Sequence, residues 1–209
     1  VTDCSFGGNT GSAINNQFPT QMINASGCWW GDGTGPVQGA PFSGGERLAA
    51  PLVQPFGDDL PTEAGTRERV NGNGVSRLAG ETILGLIDYT PWMGIDGAYS
   101  APGFVGDFSS LHVDDDSPQA GAAGRVQEGI DLVSGSTVNM AAGTYPGSIN
   151  IPAGIPVTLS GAGMAATFLT GGLVLSDNVD GITLEQFAIS GEGAGGRVIH
   201  GGQYNNDFT

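Results

Sequence analysis

Residues 124–163 read GRVQEGIDLVSGSTVNMAAGTYPGSINIPAGIPVTLSGAG, and this stretch decides the fold. Near its start, Val126, Ile130 and Val133 recur at helical spacing between two glycines, which predicts a short helix near 125–133. Short apolar runs follow, separated by turns that contain glycine and proline, a pattern typical of short β-strands. The stretch therefore predicts a helix that leads into a series of strands.

A landmark made of one apolar residue, one small residue and glycine recurs at the ends of the predicted strands. It occurs at Leu159-Ser160-Gly161, Ile189-Ser190-Gly191, Phe6-Gly7-Gly8 and Ala25-Ser26-Gly27. If the two termini are joined, the landmarks recur at uneven intervals, and uneven periods of about 20 to 30 residues are typical of a β-solenoid whose loops vary in length. The residues predicted to face its interior are Val157, Leu159, Leu175, Ile182, Leu184, Phe187, Ile189, Val198, Phe208, Val1 and Phe6.

The two termini together resemble one strand that has been cut. Residues 205–209 read NNDFT and residues 1–9 read VTDCSFGGN, and written end to end they place apolar residues at short spacing before a turn. We therefore predict that a C-terminal edge meets an N-terminal edge, of the same chain or of a neighbour. The predicted assembly edge comprises Val1, Thr2, Cys4, Phe6, Phe208 and Thr209.

Two further segments carry a family resemblance. Residues 27–36 (GCWWGDGTGP) and 87–93 (IDYTPWM) resemble the closing motif of parallel β-helix proteins of the pectate-lyase-like superfamily. The chain has Cys28 where that family usually has Asn, and Thr90 where Ser is common. Residues 124–163 resemble the opening motif of the same proteins. The resemblance implies an all-β, right-handed parallel β-helix, a fold that is used by lyases, hydrolases, adhesins and structural proteins alike.

The order of the two motifs sets the predicted domain organisation. Because the closing motif precedes the opening motif, residues 1–93 are predicted to be the back half of a β-helix, with a long loop at 37–80, and residues 119–209 the front half. Residues 94–118, rich in Gly, Ser, Pro and Asp, are predicted to be a linker. The cap residues are expected to be Trp29, Trp30 and Trp92 at one end and Val126 and Ile130 of the short helix at the other.

Composition limits the partners. The formal net charge is -15, and the sequence contains no lysine, so that nucleic acid and anionic membrane surfaces are unfavourable partners. No stretch approaches the roughly 18 consecutive apolar residues that a membrane-spanning helix needs, and no membrane insertion is predicted. The chain does not begin with Met, and we interpret it as a mature form or a fragment.

The candidate chemical sites are few. The consecutive carboxylates of Asp114, Asp115 and Asp116 offer the oxygen ligands that Ca²⁺ prefers, and a hydrated linker is the alternative interpretation. Cys4 and Cys28 are separated by a stretch close in length to one solenoid coil, which allows a disulfide; two buried thiols are the alternative. No residue of the chain matches a catalytic motif of the resembled family, so we assign no catalytic or cofactor-binding residue and predict no enzymatic activity on polyuronates.

Two functions remain open from the sequence. The first is a structural protein, a β-helical repeat unit that joins copies of itself front to back into an extracellular filament or cell-surface stalk. A permuted monomer is the competing geometry. The second is a secreted carbohydrate-binding or carbohydrate-active β-helix domain, with a polysaccharide as its partner.

Overall fold

The computed structural model describes residues 3–9, 12–18, 20–39, 69–70, 76–77, 82–100, 103–120, 123–132, 136–191, 198–201 and 206–208. These residues form mostly short strands and one helix, α1 (Arg125–Leu132). The strands are β1 (Ser12–Asn15), β2 (Ile23–Asn24), β3 (Val37–Gly39), β4 (Arg69–Val70), β5 (Ser76–Arg77), β6 (Thr82–Leu84), β7 (Ile87–Asp88), β8 (Trp92–Met93), β9 (Ala98–Ser100), β10 (Gly103–Val105), β11 (Ser110–Val113), β12 (Thr137–Met140), β13 (Gly143–Tyr145), β14 (Ile149–Ile151), β15 (Thr158–Gly161), β16 (Thr167–Leu169), β17 (Leu173–Leu175), β18 (Asp180–Glu185), β19 (Ala188–Ile189), β20 (Ile199–His200) and β21 (Asn206–Phe208).

The chain divides into two compact units. Unit 1 comprises residues 1–107 and 116–120, and unit 2 comprises residues 108–115 and 121–209. Residues 94–118, interpreted as a linker from the sequence, contain three strands, β9 and β10 in an antiparallel hairpin and β11 in a parallel sheet of unit 2. The long loop 37–80 is described only at β3 and at the short antiparallel pair β4–β5.

Unit 2 is a β-solenoid with three parallel sheets. The first sheet stacks its strands in the order β21-β18-β15-β12-β11, the second in the order β13-β16-β19 and the third in the order β14-β17-β20. We call the three strands of one coil a rung, so that rung A is β12–β14, rung B is β15–β17 and rung C is β18–β20. Thr137, Thr158 and Thr183 are in register on successive rungs, and the second step along the chain is the longer one. The predicted all-β solenoid with one short helix is therefore confirmed, and the structure has about three turns; its right-handedness and its two-half organisation stay predictions.

The solenoid interior follows the period of two that strands impose on their side chains. In β12, Val138 and Met140 face the core while Thr137 and Asn139 face outward, and β15 repeats this pattern. Of the predicted interior residues, four are buried, namely Val157, Leu159, Leu175 and Ile182. Four more are half-buried, namely Leu184, Phe187, Ile189 and Phe6.

Of the remaining residues predicted to face the interior, one prediction is wrong and two fall outside what the structure describes. Val198 is 43% exposed, so its predicted burial is wrong. It precedes β20, in which Ile199 instead pairs with the buried Leu173 and takes the inward face. A shift of one residue along a strand moves a side chain to the other face of the sheet. Val1 and the side chain of Phe208 lie outside the described residues.

Unit 1 is built on parallel pairings as well. β6 lies between β1 and β3, β2 pairs with β7, and isolated parallel bridges join Ser5 to Trp29 and Cys28 to Trp92. The segment 4–6 and the strands β1 and β2 form one layer, which we call the outer rung of unit 1. Beneath it lies a core that includes Trp30, Ile83 and Ile87, each 0% exposed.

Candidate functional site

The interior of unit 2 is closed at rung A. Helix α1 packs on the strands β11, β12 and β14, with Val126 and Ile130 buried on its inner face. The role of these two residues as caps stays a prediction. Its Gly129 is also buried, and a Cβ atom there would lie 2.9 Å from Cγ1 of Val138, so the helix axis comes close to β12. The predicted helix near 125–133 is observed at Arg125–Leu132, and Val133 lies outside the described residues.

Two side chains complete the closure by hydrogen bonding to strand edges. The amide of Gln127 accepts from the Asn150 N–H (2.7 Å) and donates to the Asn150 carbonyl (3.0 Å), as the backbone of a neighbouring strand would do. The Asp115 carboxylate accepts from the Thr144 N–H (2.7 Å) on the edge of β13. Since β11 covers the first sheet, all three sheets have a partner at this end. The sequence identified the helix but not these two polar contacts, because each joins positions that are far apart along the chain.

Rung C lies near the opposite end of unit 2. Among the described residues only β21 of the first sheet lies beyond it, while the second and third sheets end at β19 and β20. The in-register pairs of inward-facing residues in rungs B and C are Leu159 with Leu184, Leu169 with Ile189, and Leu173 with Ile199. Every rung B member is at most 1% exposed. In rung C, by contrast, Ile199 is 39% exposed and the other two residues are half-buried. On the first wall the loss of burial is confined to Leu184, because Ile182, whose backbone pairs with Phe208 of β21, is only 2% exposed. The loss at Leu184, Ile189 and Ile199 is expected where a further layer is needed above these residues.

The outer rung of unit 1 shows the same loss of burial. Its apolar residues are all partly exposed while they pack on a fully buried layer. Ile14 and Ile23 are half-buried, whereas their in-register partners Ile83 and Ile87 are 0% exposed. The partly exposed apolar residues of this rung are Cys4, Phe6, Ala13, Ile14 and Ile23. Among the described residues, unit 1 thus has an apolar interior that is open on three walls at this rung.

The predicted assembly-edge residues are described in part. Cys4 and Phe6 lie in the outer rung of unit 1. Phe208 lies in β21, where its backbone pairs with Ile182 of β18. Val1, Thr2 and Thr209 lie outside the described residues. The contact that was predicted between the two edges stays a prediction.

The tryptophans predicted to cap unit 1 belong to its core or line it. Trp30 is 0% exposed and stacks on Phe6 of the outer rung, with ring centroids 4.7 Å apart. Trp92 is 6% exposed, and its indole N–H donates to the Gly33 carbonyl (3.0 Å). Trp29 is half-buried. These packed positions are typical of structural aromatic residues.

A buried carboxylate that the sequence did not single out holds unit 1 together. Asp88 is 0% exposed and accepts hydrogen bonds from the Ser117 hydroxyl (3.2 Å) and the Ala120 N–H (2.6 Å). The Ser117 hydroxyl also accepts from the Tyr89 N–H (3.1 Å). The segment 116–120 is thereby attached to β7. The position of Asp88 just before the Tyr-Thr-Pro-Trp segment was visible in the sequence, but its distant partners were not.

The two cysteines are neighbours and both are thiols. Cys28 is 0% exposed and Cys4 is half-buried, and neither belongs to a disulfide. The disulfide that the spacing allowed is therefore not formed in this structure, although stacking does bring the residues together. The pKa of the Cys28 thiol is raised to about 12, chiefly by burial; the Cys4 backbone opposes this rise and the Cys4 side chain adds a smaller part of it.

The acidic run remains the one group of metal-binding residue types that clusters within the described part of the chain. Asp114, Asp115 and Asp116 each place a carboxylate oxygen within 4.8 Å of the others. Asp114 is buried, Asp116 is exposed, and Asp115 already accepts the Thr144 N–H. Binding of Ca²⁺ at this run stays a prediction.

Comparisons of the chain with protein-family models, with curated proteins and with solved structures gave no match. The architecture itself is compatible with a parallel β-helix. Among the described residues, no helix is long and apolar enough to cross a membrane. The class that the structure defines is therefore a parallel β-solenoid whose described residues leave one closed and one open end in unit 2 and an open outer rung in unit 1.

Proposed function

We propose that the chain is a structural β-solenoid module that stacks front to back, with rung C of one copy against the outer rung of unit 1 of another. The observation that carries the proposal is the matching loss of burial. Leu184, Ile189 and Ile199 on one side, and Ile14 and Ile23 on the other, are inward-facing apolar residues left partly exposed. Each set is distributed over the walls of its unit, and one further layer would cover it; on the first sheet of unit 2, β21 already supplies one strand of that layer.

Edge chemistry supports the same partner. A rung at the end of a solenoid presents strand N–H and C=O groups as well as apolar side chains, and both need covering. Another parallel rung supplies both kinds of contact together, at a spacing of about 4.8 Å. A contact between two different surfaces that does not close on itself produces an open filament, and each joint would bury roughly 2,000 Å² if it resembles an obligate interface.

The proposed location and family rest on the sequence resemblance. Residues 27–36 and 87–93 resemble the closing motif, and residues 124–163 the opening motif, of the pectate-lyase-like superfamily. On that basis we propose a right-handed solenoid with its halves in reversed order, in an extracellular filament or a cell-surface stalk. Separate chains and covalently continuous tandem repeats both satisfy this arrangement.

Light scattering on two blocked variants tests the stacking. Ile199→Asp places a charge in rung C, and Ile23→Asp places one in the outer rung of unit 1. We expect wild-type protein to grow with concentration, each variant alone to stop growing, and a 1:1 mixture of the two to give dimers, since each retains one intact edge. Met164→Asp is the matched control, because Met164 is 72% exposed and lies in a turn. A compact particle of 21.1 kDa at every wild-type concentration would refute the stacking and favour a closed monomer.

A second function, polysaccharide binding, is favoured by one observation on unit 2. The outward face of the first sheet carries two in-register rows of polar side chains. One row is Ser110, Thr137, Thr158 and Thr183, and the other is His112, Asn139, Ser160 and Glu185. Regular hydroxyl and amide groups are suited to hydrogen bonding with sugars. Calorimetric titration with neutral and uronate polysaccharides, repeated on Thr158→Val, tests it, and absence of heat with both sugars in the wild type would refute it.

A further inference from the structure

Cys4 and Cys28 lie opposite one another on adjacent layers of unit 1. The parallel bridge between Ser5 and Trp29 sets their register, with the Trp29 N–H donating to the Cys4 carbonyl (2.7 Å) and the Phe6 N–H donating to the Trp29 carbonyl (2.8 Å). Neighbouring strands are about 4.8 Å apart. That separation falls within the Cα–Cα range of about 4.4–6.8 Å that a disulfide spans.

The side chains are in contact as well. Cys28 belongs to the fully buried core of unit 1, and Cys4 packs on that core from the outer rung. The Cys4 side chain is also close enough to the Cys28 thiol to affect its pKa. Two thiols in contact on facing strands need little backbone movement to form a bond.

We propose that Cys4 and Cys28 form a reversible thiol–disulfide couple that covalently joins the outer rung of unit 1 to the layer beneath it. The oxidant class is a small disulfide, for which oxidised glutathione is the probe. The inference does not depend on stacking, because exchange is measured on dilute protein.

The thiol–disulfide exchange takes place in two steps. The Cys4 thiolate attacks one sulfur of the oxidant, forming a mixed disulfide and releasing one glutathione thiolate. The Cys28 thiol then loses its proton, and its sulfur attacks Sγ of Cys4, which releases the second glutathione thiolate. Two protein thiols are oxidised, one glutathione disulfide is reduced, and the two protons end on the released thiolates.

The two cysteines take different roles because they differ in exposure. Cys4 is half-buried and is the thiol that a soluble oxidant reaches. Cys28 has a pKa of about 12, so at neutral pH only a small fraction is the reactive thiolate. The closing step should therefore be slow and should accelerate about tenfold for each unit of pH below that pKa.

Mass spectrometry of dilute protein treated with oxidised glutathione between pH 7 and pH 9 tests the couple. We expect a monomer lighter by two hydrogen atoms, a peptide pair that contains Cys4 joined to Cys28, and reversal by a reducing thiol. Cys28→Ala should stop at a glutathione adduct on Cys4, and Cys4→Ser should stay unmodified. The wild type remains decisive if a variant fails to fold. A persistent adduct on wild-type Cys4, a Cys4-linked dimer, or no reaction at pH 9 would each overturn the proposal.

Discussion

Leu159 and Leu184 offer a matched test of whether rung C is open. They are in-register neighbours on the inward face of the first sheet of unit 2, in rungs B and C. Leu159 is 0% exposed and lies between Val138 and Leu184, whereas Leu184 is half-buried. Replacing each with alanine removes the same atoms from the same wall, so that the comparison isolates the effect of the missing cover.

The expected losses of stability differ. Removing a fully buried leucine side chain costs about 2–5 kcal/mol, because contacts are lost and a cavity remains. Leu159→Ala should fall within that range. Leu184 is only half-buried, and the space left there is open to water, so Leu184→Ala should cost about half as much, roughly 1–2 kcal/mol.

Urea unfolding measures both losses, with the free energy of unfolding obtained by linear extrapolation. In dilute protein we expect Leu159→Ala to be the more destabilised variant by at least about 1 kcal/mol. If copies stack at higher concentration as we propose, the loss for Leu184→Ala should approach that for Leu159→Ala, because the joint would bury Leu184. Equal losses in dilute protein would refute the reasoning, since they would show that Leu184 is already covered.

Three further predictions follow from unit 2 and from the charge of the chain. Gln127→Ala should lower the free energy of unfolding by about 0.5–1.5 kcal/mol. Gln127→Glu should lower it by more, because the new carboxylate would face the Asn150 carbonyl and Asp131. Thermal unfolding measures both losses, and a stabilised Gln127→Glu variant would contradict the role of Gln127 in closing rung A. Burial lowers the pKa of His112 below 6.5, so the unfolded chain binds a proton more readily and stability should fall as the pH drops below 6.5. Urea unfolding midpoints from pH 7.5 to pH 5 check this. If stability falls equally steeply with pH in His112→Gln, His112 is not the cause. Copies with a net charge of -15 repel one another, and salt screens this repulsion. Light scattering should therefore show stronger association as NaCl rises from about 0.05 to 0.5 M. Weaker association would mean that attraction between charges drives the joint.

The sequence predicted the architecture because a solenoid is encoded locally. Turn residues delimit short apolar runs, and alternation within a run such as Thr158–Gly161 assigns the inward face. The helix was predictable for the same reason, from the spacing of Val126 and Ile130. Parallel stacking then follows, because consecutive runs of similar length pair in register.

Positions decided by tertiary contacts could not be predicted in the same way. Val198 and Ile199 are adjacent apolar residues, and the backbone of β20 alone decides which one pairs with Leu173. Gln127 and Asp88 are polar residues with ordinary surroundings in the sequence, and Asp115 was noted only as part of an acidic run. Their roles arise only because folding brings them to strand edges or to buried N–H groups that are distant along the chain.

The difference between the ends of unit 2 gives any stack a direction. At rung A, the edges of the three sheets are occupied by β11, by Asp115 and by Gln127, so a new strand would have to displace one of these partners to pair there. At rung C only the first sheet continues among the described residues, in β21, and Leu184, Ile189 and Ile199 are partly exposed. The proposed stacking is therefore expected at one end of unit 2, and parallel pairing would require the added copy to point the same way. If rung C stacks on the outer rung of unit 1 of another copy, as we propose, each added copy would present a new rung C and the joint could repeat without closing.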